Sequence, residues 1–356
     1  MQRTRYMNVM NLKTIKWESV KSIFNAITGA DQISRAKISE ITGLSLVTVG
    51  KVADALLDMD IITQEKQIKV TAGRRAGLLT INKEKFVLIL DLSSRIFRFS
   101  VLNLNLELME KTRHTYDDNC YYEENLQSFL SEIALHMDRN YNMENCFGIG
   151  VSLPGRYDVQ NDTVISGRIP EVAELHIRAK IEEYFPQYPI FLEASENVAA
   201  LSNIAEIPQY TEKNILYWFL GEDTTTGSLL VNGGFIHGHK MHPCDFGHII
   251  LPDGKVLGDA LKDCKTPEDI TEVVISPLHN IIQILAPDII ILECEPLRQD
   301  RERVVPLVQQ ALCKKFQYEP DMLPEIIITC CKFRHSHRGL AMRLREMWID
   351  QILLHD

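Results

Sequence analysis

Long apolar runs are missing from this 356-residue sequence. Runs such as Ile289–Leu292 and Ile326–Ile328 are strand-sized, far short of the ~18–20 residues a membrane helix needs. The basic residues of the opening MQRTRYMNVMNLK precede no apolar stretch, so no secretion signal is expected. Cysteine is scarce as well: eight in the whole chain, with Cys330 and Cys331 adjacent and awkward to bridge. That excludes a disulfide scaffold and points to a reducing cytoplasm. Low-complexity tracts and short-period repeats are also absent. Positive charge is in deficit, 38 Lys+Arg against 48 Asp+Glu for a net −10. As one number this argues against nucleic acid, which is bound through Lys and Arg.

The deficit is uneven. Residues 1–80 hold twelve Lys/Arg and seven Asp/Glu, a local +5, so the remainder carries −15. A small basic module is joined to a large acidic body. In the module, Val20, Ile23, Phe24 and Ile27 repeat at i, i+3, i+4, i+7 and predict a helix. A short second helix follows over Ile33–Ile41, with Ser34 as its cap. Gly43 marks a turn, and Ser45 is placed to cap a third helix that buries Val49, Val52, Ala53 and Leu56. Helix, short helix, Gly-containing turn and helix make a helix-turn-helix. Its third helix would present Ser45, Thr48, Gly50 and Lys51 to a major groove, with Leu46 and Val47 near the tip. Such groups suit phosphate anchoring, base-edge hydrogen bonds and thymine-methyl contact. Thr63–Val70 and Leu78–Ile81 alternate like strands around Gly73-Arg74-Arg75, a β-wing whose arginines can reach a narrow minor groove. Arg35, Ser45, Thr48, Lys51, Arg74 and Arg75 are the candidate DNA contacts. A helical bundle that docks proteins would share the helix spacing; turn, polarity, wing arginines and local charge together favour double-stranded DNA.

From Phe86 the period changes to strands. Phe86–Asp91 and Phe97–Leu102 pair in the reading, Leu106–Met109 leads away, and Leu126, Phe129, Leu130, Ile133 and Met137 line one helix face. Strands and helices then alternate: Gly148–Leu153, Ile190–Leu192, Asn197–Ile204, Ile215–Leu220, Leu229–Val231, Ile275–Leu285, Ile289–Leu292, Ile326–Cys330 and a last helix Gly339–Leu354. This is an α/β body of two lobes.

Four features in order carry a family resemblance: the GRR wing, an Asp-ending strand at Asp91, the G-x-S-x-P-G loop Gly150–Gly155, and the stretch Glu193–Leu201 before Asp245-Phe-Gly-His248. The sequence resembles the ROK family of repressors and sugar kinases, and within it the regulator branch of NagC, Mlc and xylose-repressor type. The resemblance spans nearly the whole chain. It implies an α/β fold: an N-terminal winged helix-turn-helix (1–82) and a two-lobed actin/hexokinase-like body. The lobes would be 83–192 and 193–338, with helix 339–356 packing back on the first. It also implies a homodimer or homotetramer on an operator, and a sugar or sugar-phosphate effector.

The kinase motifs depart from the family. The first phosphate loop, D-x-G-G-T-K in the family, is Asp91-Leu-Ser-Ser-Arg-Ile96 here. The second keeps only the outer glycines of Gly221–Gly227 and places Glu222 and Asp223 where they repel phosphate. Glu293-Cys-Glu295 stands where G-G-G meets adenosine. Glycines let backbone N–H groups approach phosphate, so ATP is not an expected cofactor. Ser195 replaces the general-base Asp and Ala194 the sugar-binding Asn, which disfavours phosphoryl transfer again. Asn197 keeps its place and braces the helix start. Gly155, Arg156, Asp245 and His248 are the candidate effector-binding residues. Of the family's zinc cluster only His248 and Cys264 remain, with His237, His239, His242 and Cys244 upstream. Two of four ligands seldom hold structural zinc, so no metal is expected. The expected function is a sequence-specific DNA-binding regulator, a repressor of sugar uptake or catabolism genes. A sugar kinase with an appended DNA-binding module, or a regulator without ligand sensing, are the alternatives.

Overall fold

The computed structural model describes residues 17–65, 77–165, 169–204, 207, 210–221, 225–238, 243–295, 297, 300–329 and 332–354. Three helices come first: α1 (Trp17–Thr28), α2 (Arg35–Thr42) and α3 (Leu46–Asp58). Ser34 Oγ accepts the Lys37 N–H and caps α2. Gly43 closes that helix at φ 69°, a left-handed conformation that costs a glycine little. Ser45 Oγ accepts the Thr48 N–H and caps α3. Strands β1 (Ile33–Ser34), β2 (Ile62–Glu65) and β3 (Leu78–Ile81) form an antiparallel sheet in the order β1-β3-β2. The expected wing tip, with Arg74 and Arg75, lies outside the described residues.

The body begins with β4 (Phe86–Asp91), β5 (Arg98–Asn103), β6 (Leu108–Arg113), α4 (Tyr122–Asn140) and β7 (Cys146–Leu153). A hairpin of β8 (Arg156–Asp158) and β9 (Thr163–Ile165), then α5 (Ile177–Tyr184) and β10 (Ile190–Ala194), complete the first unit. Its sheet runs β10-β7-β4-β5-β6, the first three strands parallel and the last two an antiparallel meander. After α6 (Ser195–Ile204) the plan repeats with β11 (Ile215–Leu220), β12 (Thr225–Val231) and β13 (Gly234–Phe235). Then come α7 (Leu257–Lys262), α8 (Pro267–Leu285), β14 (Ile289–Cys294), α9 (Val304–Phe316), β15 (Glu325–Thr329) and α10 (Lys332–Leu354). This second sheet runs β13-β12-β11-β14-β15, again an antiparallel trio joined to a parallel pair. The parallel strands β4, β7, β11 and β14 are buried at every position, as expected of strands covered on both faces.

Helices α6 and α10 tie the parts together. Ala199, Ala200 and Leu201 of α6 join Met342 of α10 in the core of the second sheet. Leu340 and Leu344 of α10 pack on Ile89 and Phe147 of the first sheet, in a core that continues into Phe24, Ile27 and Val52 of the N-terminal module. A Cβ on Gly150 would stand 2.8–3.2 Å from Ile89, Leu344 and Leu340 side chains, so α10 lies directly on β7. Arg345 completes the junction. It donates to the Leu104 carbonyl at 2.9 Å, and its guanidinium sits 5.7 Å from the centre of the Phe24 ring.

Several elements differ from their sequence outlines. Helix α8 starts at Pro267 rather than Ile275, because Thr266 and Asp269 form a reciprocal capping box. Helices α5 and α9 carry too few buried residues for a long periodic signal. The meander strand begins at Leu108, two residues late, because Leu106 occupies the turn at φ 63°.

Candidate functional site

A cavity of about 290 Å³ opens between the two units of the body. Arg156, Tyr157 and Val159 of the β8 hairpin form one wall, Phe191–Ala194 of β10 and Asn197 of α6 the floor. Ile236, His237 and Pro243, after β13, close the far side. Glu193 Oε1 accepts the Ala194 N–H at 2.8 Å and the Asn197 side-chain amide at 2.9 Å. Asn197 therefore braces the start of α6 and lines the cavity as well. Tyr157 donates to Asp162 at 3.1 Å and accepts from Arg178 at 3.2 Å, which fixes its ring. The Arg156 Nη1 reaches the Gly238 carbonyl at a long 3.4 Å, while its Nε is buried with no hydrogen-bond partner among the described residues. A buried N–H without an acceptor is costly and suits a ligand oxygen.

Of the four residues predicted to bind an effector, Arg156 lines this cavity and Gly155 is buried beside it. Asp245 and His248 do not line it. They face each other at 3.5 Å with side chains 47% and 82% exposed. Between them Phe246 packs on Trp218, ring centres 4.7 Å apart, so the D-F-G-H segment is anchored through its aromatic ring. Tyr157, Glu193 and His237 are the lining residues that sequence reasoning passed over. Glu193 opens the very motif that places Ser195, and Tyr157 adjoins Arg156, so adjacency was the available signal.

The groups inherited from phosphate chemistry are otherwise engaged. Asp91, 1% exposed, accepts from Ser93 N–H at 3.1 Å and Ser93 Oγ at 2.5 Å. Arg95 spans the loop to Tyr116 and Glu171, and this pairing holds the guanidinium pKa above its ordinary value. Ser195 is buried and donates to Glu196 at 3.0 Å. Glu293 is buried at the end of β14 and accepts from Tyr217 Oη at 2.6 Å. Burial, reinforced by that carboxylate, drives the Tyr217 phenol far above its usual range. Gly227, the far glycine of the second loop, faces Trp218 across the sheet. A Cβ there would stand 2.2 Å from the Tyr217 carbonyl, so strand packing alone requires glycine. Cys264 is buried and donates to the Ala260 carbonyl at 3.5 Å; burial pushes its thiol up to about 11. Among the described residues no three His, Cys, Asp or Glu side chains converge on a metal position.

At the N-terminal module, Arg35 is held by Asp54 at 2.7 Å. Ser45 and Thr48 share a hydroxyl hydrogen bond of 2.9 Å at the start of α3. Lys51 is exposed one turn further on.

A model of the ROK family matches residues 88–269, just over half of the chain. The chain is 21% identical over 252 residues to the xylose repressor of Bacillus spizizenii, covering 69% of this chain and 63% of that protein. It thus spans less than two thirds of that relative's length. It superposes on the crystal structure of a ROK family transcriptional regulator, a homologue of the E. coli MLC protein, with a TM-score of 0.70 at 15% identity, over 97% of this chain and 98% of that one. Against the ROK hexokinase from Thermus thermophilus the TM-score is 0.57 at 19% identity, over 72% of this chain and 97% of that one. These likenesses establish the body as the mixed α/β, actin/hexokinase-like fold. With its twice-repeated sheet plan and the family match across more than half its length, the chain belongs to the ROK family.

Proposed function

We propose that this chain is a DNA-binding transcriptional regulator, a repressor of sugar uptake or catabolism genes, without kinase activity. The N-terminal three helices and three-stranded sheet serve as a winged helix-turn-helix over residues 1–82, and the body (83–192, 193–338, with 339–356 returning to the first lobe) as sensor and homodimer scaffold. The observation that carries this reading is the state of the phosphate-handling groups. Asp91 is bonded to Ser93, Ser195 stands in place of a base, and Glu293 fills the adenosine region bonded to Tyr217. The basic first 80 residues support DNA as the partner. A xylose repressor among the relatives supports repression as the output.

A sugar or sugar phosphate in the cavity would meet Arg156, His237, Asn197 and Glu193. Closing the two units around it shifts α6, whose first turn carries Asn197. Helix α6 lies against α10, and α10 reaches the DNA module through Arg345 and Phe24. Ligand and operator are thereby coupled through differential affinity for two arrangements of the body.

Two measurements test the reading. A mobility shift with DNA from upstream of its own operon should show binding that weakens steeply with salt and in Lys51→Glu. Thermal-shift scans against hexoses, amino sugars and their phosphates should find a ligand whose stabilisation is lost in Arg156→Ala. Absence of DNA binding at low salt refutes the regulator. ATP turnover abolished by Asp91→Asn would establish the alternative, a sugar kinase with an appended DNA-binding module.

A further inference from the structure

We propose that the reading head of α3 selects its site through thymine methyl groups, so that Leu46 and Val47 determine the sequence bound. This rests on the DNA-binding reading above and names the chemistry of its specificity. Leu46 and Val47 are 58% and 69% exposed at the first two positions of α3. Among the described residues nothing covers them, although Val49, Val52 and Leu56 of the same helix are fully buried. In a helix-turn-helix these first-turn positions face base edges.

The bidentate polar routes to base recognition are missing from this tip. Bidentate reading of guanine needs Arg or Lys, and of adenine Asn or Gln; positions 46, 47, 48 and 50 are Leu, Val, Thr and Gly. Ser45 Oγ accepts the Thr48 backbone N–H and shares a hydrogen bond with Thr48 Oγ1, so the pair offers single hydroxyl contacts rather than bidentate ones. Arg35 is taken by Asp54 and Lys37 by Glu40, both at 2.7 Å. Gly50 has no atom within 4 Å of where a Cβ would stand, so the helix offers a shallow, open surface there. Lys51 is exposed one turn along, suited to a phosphate at the groove edge rather than to a base. Beside these hydroxyls, the described residues of the tip present two exposed aliphatic side chains. The group in the major groove that matches them is the C5 methyl of thymine.

The test uses the full-length protein to select its own sites from a random duplex pool. The selected half-site should carry thymines at the positions under α3. Replacing each of these with deoxyuridine removes only the methyl group and should weaken binding about fourfold per contacted methyl. The same replacement should have no effect on binding by Leu46→Ala or Val47→Ala, whichever contacts that base, with thermal midpoints unchanged because both side chains are surface-exposed. Lys51→Ala should weaken thymine and uracil duplexes equally. Selected sites without thymine beneath α3, or wild-type binding indifferent to uracil, overturn the inference while leaving DNA binding intact. A pool from which no duplex is retained overturns the DNA-binding reading together with it.

Discussion

Replacing Gly339 with alanine asks whether the two helices between the sheets are locked at their crossing. A Cβ at this position would stand 2.2 Å from the Val198 carbonyl oxygen, 2.6 Å from Ser202 Oγ and 3.1 Å from the Ser202 nitrogen. The hydroxyl can rotate away, but the carbonyl belongs to the α6 backbone and cannot. Relief therefore requires α6 and α10 to move apart by about 1 Å, in a core where overpacking costs about 1–3 kcal/mol. The intrinsic preference of a helix for alanine over glycine offsets about 1 kcal/mol of this. Taking the upper overpacking figure, the net loss is about 2 kcal/mol. Gly50→Ala in α3 supplies the internal control. The same substitution there meets no atom within 4 Å and should stabilise by about 1 kcal/mol. Urea unfolding followed by tryptophan fluorescence, together with scanning calorimetry, measures both. Opposite signs are expected. A Gly339→Ala protein as stable as wild type or more so refutes the close-crossing reasoning, and with it the proposed route from cavity to N-terminal module.

Three further outcomes follow from the geometry. Ser45→Ala removes the α3 cap and should cost about 1 kcal/mol of stability, seen as a lower urea midpoint with unchanged slope. Tyr217→Phe leaves the buried Glu293 carboxylate one donor short and should cost about 1–3 kcal/mol; Glu293→Gln, which keeps an acceptor without the charge, should cost less, and equal losses would contradict this account. His337 is 4% exposed and 4.0 Å from Asp91, with neither ring nitrogen hydrogen-bonded among the described residues; burial lowers its pKa to about 4, against the opposing pull of that carboxylate. Since the unfolded chain takes up this proton more readily than the folded one, stability should fall as pH drops from about 6.5 to about 4, by about 3 kcal/mol at most. In His337→Leu that part of the pH–stability profile should flatten, and an unchanged profile would show that the ring does not titrate as described.

The N-terminal module was legible because its signals are local. Ser34 and Ser45 cap the helices they precede, Gly43 takes the left-handed turn, and the i, i+3, i+4, i+7 spacing of α1 is buried as read. The buried parallel strands were legible for the same reason: Phe86–Asp91 and Ile215–Leu220 are continuous apolar runs. The start of α8 was misplaced although Thr266-Pro267-Glu268-Asp269 spells a helix start: the reading followed the apolar residues from Ile275 and not the capping box before them. The candidate site was only half legible. Of the residues that motif order suggested, Arg156 lines the cavity and Asp245 does not, and nothing local distinguishes an exposed Asp245 from one aimed inward. Nor could the Arg345–Phe24 contact be seen, since it joins residues from opposite ends of the chain.

That contact bears on how far the reading head is a separable part. The core beneath α1 and α3 runs without interruption into Leu340, Leu344 and Ile349 of the last helix. A fragment ending near residue 82 would expose that apolar underside to water and lose its cation–aromatic partner. Exchanging the head with that of a relative, a manoeuvre the sequence-level boundary invites, would pair a foreign α1 with the native Arg345. A working chimaera therefore has to inherit both termini from the same parent, because the core of the N-terminal module is discontinuous in sequence.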